Sequence, residues 1–114
     1  MSCEMCFCYM IVTFEKEYLR DLYETGKTTD KNHRFQPEIV RKYKFCINTL
    51  KSASGIEAIY RVKSFNYEEL KGDKKGISSI RVNLQYRIEF IVSDNGIEPV
   101  ATVCNILELS NHYK

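Results

Sequence analysis

Two arginines six positions apart, Arg81 and Arg87, punctuate the strand-like run SIRVNLQYRIEF at residues 79–90. A guanidinium is permanently charged, and its planar fork matches two oxygens of a phosphate. Just upstream, KGDKKG sets Lys71, Lys74 and Lys75 in a glycine-flanked loop. Residues 61–87 hold seven Lys or Arg against three Asp or Glu, although the whole chain of 114 residues is only +2. A local basic excess of this kind is the footprint of an anion or nucleic-acid site, or else a solvated lysine-rich loop. Phosphate binding is therefore the chemistry these residue types offer first.

The other reactive residues are sparser. Five cysteines (Cys3, Cys6, Cys8, Cys46 and Cys104) make an odd count, three of them crowded at the start. That pattern does not suit a secreted disulfide framework. The compartment reads as reducing, hence cytoplasmic. Structural zinc usually draws four ligands from two separated pairs, and the Cys3, Cys6, Cys8 cluster has no second pair, so no metal is expected. No apolar run reaches the ~18 residues of a membrane span. Glu4 stands where a signal peptide carries positive charge. Residues 1–9 read as an extension, with Met10 an alternative start, and residues 10–114 as a single domain.

The elements that must position the arginines follow from periodicity. MIVTF (10–14) reads as a short strand. EKEYLRDLYETG carries Tyr18, Leu19, Leu22 and Tyr23 on one helical stripe, with Gly26 placed to end it. QPEIVRKYKFCINTLKSASG has Pro37 suited to a first helical turn, then Ile39, Tyr43, Cys46, Ile47 and Leu50 at helical spacing. Gly55 closes that run. After residue 62 the period changes to two. RVKSFNYEEL is a weak strand candidate, and ISSIRVN, YRIEFIV and PVATVCNILEL are stronger ones. SDNG at 93–96 signals a hairpin turn. The expected fold is α+β: two N-terminal antiparallel helices packed on a mainly antiparallel, twisted sheet.

Register then decides where the arginines point. Ile80, Val82, Tyr86, Ile88 and Phe90 are all even-numbered; Arg81, Asn83, Gln85, Arg87 and Glu89 are odd. Directly opposed residues of an antiparallel pair share a face. A two-residue loop would oppose Val82 to Arg87 and wet both faces. A three-residue loop, Asn83-Leu84-Gln85, opposes Arg81 to Arg87 and keeps one face dry. Two like charges side by side are destabilising unless an anion joins them. That anion is either a bound phosphate or an internal carboxylate, with Glu89 and Glu108 nearest in register. Tyr67 and Tyr86 are candidate stacking surfaces, Tyr86 being assigned to packing, and His33 has no partner in the sequence.

The stretch LKGDKKGISSIRVNLQYRIEF (70–90), with MIVTFEKEYLRDLYETGK before it and LELSNHYK at the end, resembles the HigB toxins of the RelE superfamily. The resemblance implies a RelE-like fold and a plasmid-maintenance killer activity. It implies a metal-independent, cofactor-free endoribonuclease that cuts mRNA on the ribosome through attack of the 2′-OH on the adjacent phosphate. It further implies a HigA-like antitoxin with a helix-turn-helix domain, with operator DNA engaged only through that partner, and no membrane association. On this resemblance Arg81 and Arg87 stabilise the transition-state charge, and Lys71, Lys74 and Lys75 position the RNA backbone. His112 and Glu68 are then candidates for proton transfer. The chain departs from the family where many members end in Asp-Tyr-His: Ser110 and Asn111 precede His112.

Two other readings compete. The same scaffold serves toxins that bind RNA or poison DNA gyrase without cutting RNA, since fold does not fix function. A small metal-binding adaptor built on Cys3, Cys6 and Cys8 is the third.

Overall fold

The structure, a computed structural model, describes residues 10–94 and 102–111. Those residues form five strands and three α-helices in the order β1 (Met10–Phe14), α1 (Glu17–Glu24), α2 (Pro37–Ser52), α3 (Ile56–Tyr60), β2 (Glu68–Glu69), β3 (Ser78–Arg81), β4 (Tyr86–Asp94) and β5 (Thr102–Asn111). The strands make one sheet in the order β1-β5-β4-β3-β2. Every neighbouring pair is antiparallel except β1 with β5, which run parallel, Met10 opposite Thr102 and Phe14 opposite Ile106. The α+β expectation holds, with one parallel pair joining the two ends of the domain.

Alternation places the apolar residues on one side of this sheet. Ile80, Ile88, Phe90, Cys104 and Ile106 are fully buried against Leu19, Tyr43, Ile47 and Leu50 of the helices. Each aliphatic chain so buried contributes about 1.5–3 kcal/mol. A bulge between Glu89 and Phe90 sets Glu89 opposite Glu108 but Phe90 opposite Ile106. The shift lets Ile106 and Leu109, three residues apart, both face the core, while Glu108 and Ser110 go to the polar side with Arg87.

Two tyrosines tie the layers together. The Tyr43 hydroxyl donates to Leu19 O at 2.8 Å, joining α2 to α1. The Tyr18 hydroxyl accepts the Leu109 N–H at 3.2 Å, joining α1 to β5. Burial, and lesser repulsion from Glu108, Asp30 and Glu89, push Tyr18 up to about 12. Gly26 ends α1 at φ +80°, its N–H shared between Asp21 O and Leu22 O, in the left-handed region that favours glycine.

One expected strand is mostly something else. Of residues 61–70 only Glu68–Glu69 pair in the sheet, and Lys63–Phe65 form a 3-10 turn. The reason is a spacing of three: Ile56, Ile59, Val62 and Phe65 all turn toward the core, with Ile59 and Phe65 buried. Gly55 does follow the end of α2, but it also opens α3, a third helix beyond the two expected. The SDNG turn and Pro99 lie outside the described residues from Asn95 onward, as does the 1–9 extension with Cys3, Cys6 and Cys8.

Cys46 and Cys104 are buried free thiols, and burial pushes both up to about 12. At pH 8 the thiolate fraction is then ~10⁻⁴, and the thiolate is the reactive form. A pulse of iodoacetamide followed by peptide mass spectrometry is expected to leave both unlabelled in the native protein and label both in denaturant. Native labelling of either would contradict the packing described.

Candidate functional site

The β3–β4 hairpin has the three-residue loop. Ile80 lies opposite Ile88 and Arg81 opposite Arg87. The Val82 N–H donates to Tyr86 O at 2.9 Å, so the pairing continues one step toward the loop. Asn83 fixes the turn: its side-chain oxygen accepts the N–H groups of Gln85 at 2.9 Å and Tyr86 at 2.7 Å. This Asx-type closure is what asparagine offers a turn, since its side chain mimics a backbone carbonyl.

The two arginines share a face but not a situation. Arg87 is 7% exposed. Its Nε donates to Ser79 Oγ at 2.9 Å, and its Nη2 donates to Asn66 O at 2.8 Å. Glu68 Oε1 lies 3.7 Å from the same Nη2. Burial lowers the Arg87 pKa, Glu68 raises it, and the neighbouring Arg81 lowers it again. The group remains protonated, because arginine starts too high to lose its charge in a protein. Arg87 thus stitches the segment at Asn66, itself in the left-handed conformation at φ 47°, onto the sheet. Arg81 is half-buried, and its guanidinium has no hydrogen bond or ion pair among the described residues. One arginine is built into the frame; the guanidinium of the other makes no such bond among the described residues.

The remaining sequence candidates fall around them. Glu68, opposite Ser79, stays exposed beside Arg87. Lys74 reaches over the polar face to Glu89 at 2.9 Å. Lys71 and Lys75 do not surround the same space. They line a separate cavity of about 630 Å³ with Tyr60, Tyr67, Ile77 and Ser78. Lys71 and Lys75 flank the 3-10 turn Gly72–Lys74, with non-helical backbone on either side of it, so their side chains are not set by its period. Glu108, the other internal carboxylate weighed for the arginines, pairs with Lys16 at 2.7 Å. Tyr67 bonds Ser78 Oγ at 2.8 Å and packs on Phe90, while Tyr86 meets Phe35 edge-on, so both act in packing. His112 lies outside the described residues. Among the described residues, no group of three or more His, Cys, Asp or Glu is placed to hold a metal.

His33, for which the sequence shows no partner, is paired in the fold. Its Nδ1 lies 2.8 Å from Asp30 Oδ2, and its ring stacks on Tyr18. It lines a second cavity, about 740 Å³, together with Lys16, Arg34, Lys74, Glu89 and Ser110. The available signal was the Asp-x-x-His spacing in a polar loop, which one 3-10 turn brings together.

Comparison with known proteins adds to this geometry. The family model described as the RelE-like toxin of type II toxin–antitoxin system HigB matches residues 12–101. Toxin HigB-1 of Vibrio cholerae is 35% identical over 82 residues, which cover 71% of this chain and 82% of that protein. Among solved structures, a YoeB/ParE toxin from Agrobacterium tumefaciens is 25% identical with a TM-score of 0.52, over 91% of this chain and 100% of that one. A mutant YafQ from E. coli, 14% identical, superposes with a TM-score of 0.54 over 89% and 91% of the two chains, a likeness of fold.

Proposed function

The chain belongs to the HigB family of RelE-like toxins of type II toxin–antitoxin systems, and from that premise we propose that it is a metal-independent endoribonuclease that cuts mRNA on the ribosome. The observation that carries the reading is Arg81: a half-buried guanidinium with no partner of its own among the described residues, directly opposite a second, buried one. Their mutual repulsion is relieved when a phosphate oxygen arrives, and more so when that oxygen gains charge.

In the proposed step the ribose 2′-oxygen attacks the adjacent phosphorus, a new P–O2′ bond forms, and the P–O5′ bond breaks. A proton leaves the 2′-OH and another is delivered to the departing 5′-oxygen. Arg81 meets the charge that develops on the non-bridging oxygens. Arg87 supplies positive field from beneath and holds the segment that presents Glu68. Glu68 and His112 are the proposed proton-transfer groups, since a carboxylate accepts protons and an imidazole trades them near neutral pH. Lys74, already over the polar face, contacts the RNA backbone and fixes its path without reading its sequence.

Partners follow from family membership. A HigA-like antitoxin with a helix-turn-helix domain neutralises the toxin, and operator DNA is met only through it. Among the described residues no helix is long and apolar enough to cross a membrane. A cytoplasmic site of action, where mRNA and ribosomes are, completes the reading.

The experiment is induction of the chain without its antitoxin, followed by mapping of RNA 5′ ends. New ends within translated frames are expected, along with growth arrest. Arrest with intact mRNA and altered DNA supercoiling would replace this reading by the gyrase-directed one.

A further inference from the structure

The parallel pairing of β1 stops at Phe14 opposite Ile106, and among the described residues no strand takes over beside Leu107–Asn111. Along that uncovered stretch of β5 lies the cavity of about 740 Å³ that His33 lines. Its size falls within the range of about 300–1,000 Å³ typical of small-ligand sites.

His33 is held rigidly in the wall. Its ring is 3.7 Å from the Tyr18 ring and 11° from parallel to it, and Tyr18 is itself buried and hydrogen-bonded to β5. Asp30 occupies the Nδ1 edge at 2.8 Å, and the His33 backbone N–H donates to Asp30 O at 3.1 Å. One ring face and one ring edge are thus taken. The side chain keeps 27% exposure, and its Nε2 makes no hydrogen bond among the described residues. A fixed flat face with one directional hydrogen-bonding atom at its rim is what a nucleobase needs: a surface to stack on and one polar contact to read. The cavity is lined by Lys16, Arg34 and Lys74 and by Glu15, Glu89 and Glu108, with Glu15 accepting from Asn105 Nδ2 at 2.9 Å. Lys16 and Lys74 are engaged by Glu108 and Glu89, whereas Arg34 has no ion pair among the described residues. A stacking ring beside a cation is the recurring element of single-stranded nucleic-acid recognition.

The geometry points to a nucleotide subsite here, with the base stacked on His33 and its phosphate on Arg34. Its place on the substrate rests on the RNA-cleaving reading above. Arg81, Arg87 and Ser110 form one row across three adjacent strands, and Ser110 lines the cavity. At a strand spacing of about 4.8 Å, Ser110 stands about 10 Å from Arg81. The nucleotide in the subsite is therefore a near neighbour of the phosphate that Arg81 binds, and the subsite sets a base preference beside the cut.

The test titrates AMP, GMP, CMP and UMP separately into the isotope-labelled full chain and follows the His33 imidazole signals by NMR. Saturable shifts are expected, graded among the four bases. His33→Ala and Arg34→Ala are each expected to weaken binding about tenfold, the effect of losing one stacking or phosphate contact. His33→Phe keeps the stacking face and folds with Tyr18 still covered; it is expected to retain affinity while levelling the preference among bases. No nucleotide-dependent shift at His33, or unchanged binding in His33→Ala, overturns the subsite even where the induced wild type cuts mRNA. Nucleotide shifts at His33 in a chain that leaves mRNA intact on induction support the subsite and remove the nuclease reading instead.

Discussion

Arg81→Ala is expected to lower the rate of mRNA cleavage by about 10²–10³, the usual effect of removing one donor to a transition-state oxyanion, while leaving stability within about 0.5 kcal/mol. The separation of the two effects follows from the environment of the side chain. The Arg81 guanidinium holds nothing in place: among the described residues it has no hydrogen bond and no ion pair. Its backbone stays in β3 opposite Arg87 whatever the side chain. Removing it even relieves a like-charge contact, since Arg81 is one of the groups that lowers the Arg87 pKa. Arg81→Lys is expected to recover part of the rate, because an ammonium keeps the charge but loses the planar fork. Cleavage is read by 5′-end mapping after induction and stability by a denaturant melt of the purified variant.

Arg87→Met is expected to behave in the opposite sense, with stability lost first. Methionine fills much of the volume but makes none of the bonds to Ser79 Oγ and Asn66 O. Ser79 is 1% exposed, so its hydroxyl loses a charged partner with no water to replace it. An orphaned buried polar group costs about 1–3 kcal/mol. The figure is below the 3–5 kcal/mol of breaking a fully buried ion pair, because Glu68 stays exposed and is simply returned to water. In a domain of this size each kcal/mol lowers the melting temperature by about 4–8 °C. Cleavage falls as well, since the segment bearing Glu68 is no longer tied to the sheet. Arg87→Lys is not expected to rescue stability, because one ammonium cannot reach Ser79 and Asn66 with the spread of a fork. A melt unchanged in Arg87→Met would mean that the stitch at Asn66 contributes nothing. Thermal melts of the wild type and both variants settle it.

The difference between the two arginines also marks how far the sequence could be read. Their opposition was legible, because strict alternation over Ile80, Val82, Tyr86, Ile88 and Phe90 leaves only one loop length that keeps a face dry. The burial of Arg87 was not. Its main partner is a backbone carbonyl 21 residues away, and a carbonyl has no signature in the sequence. Glu89 and Glu108 were the internal carboxylates nearest in register, but Lys74 and Lys16 occupy them, and Glu68 comes closest instead.

The same contrast between local and distant causes explains the rest. Helices α1 and α2 follow from stripes of apolar residues within each segment. The parallel contact of β1 with β5 joins residues about 90 positions apart, and nothing local encodes it. The stretch 61–70 went the other way: the period of two expected after residue 62 made it a weak strand candidate, but the threefold spacing of Ile56, Ile59, Val62 and Phe65 runs into it. The three lysines are close in sequence, yet Lys74, in the 3-10 turn, reaches Glu89, while Lys71 and Lys75, which flank that turn, line a separate cavity.

That Arg81 is the guanidinium meeting the scissile phosphate is our proposal. It is tested most directly by inducing wild type and Arg81→Ala to equal protein levels, without antitoxin, and timing the appearance of 5′ ends within one abundant translated mRNA. Cuts in the wild type, with the variant slowed by two orders of magnitude or more at an unchanged melting temperature, are the expected result. Equal rates of cutting in a folded Arg81→Ala protein would contradict it.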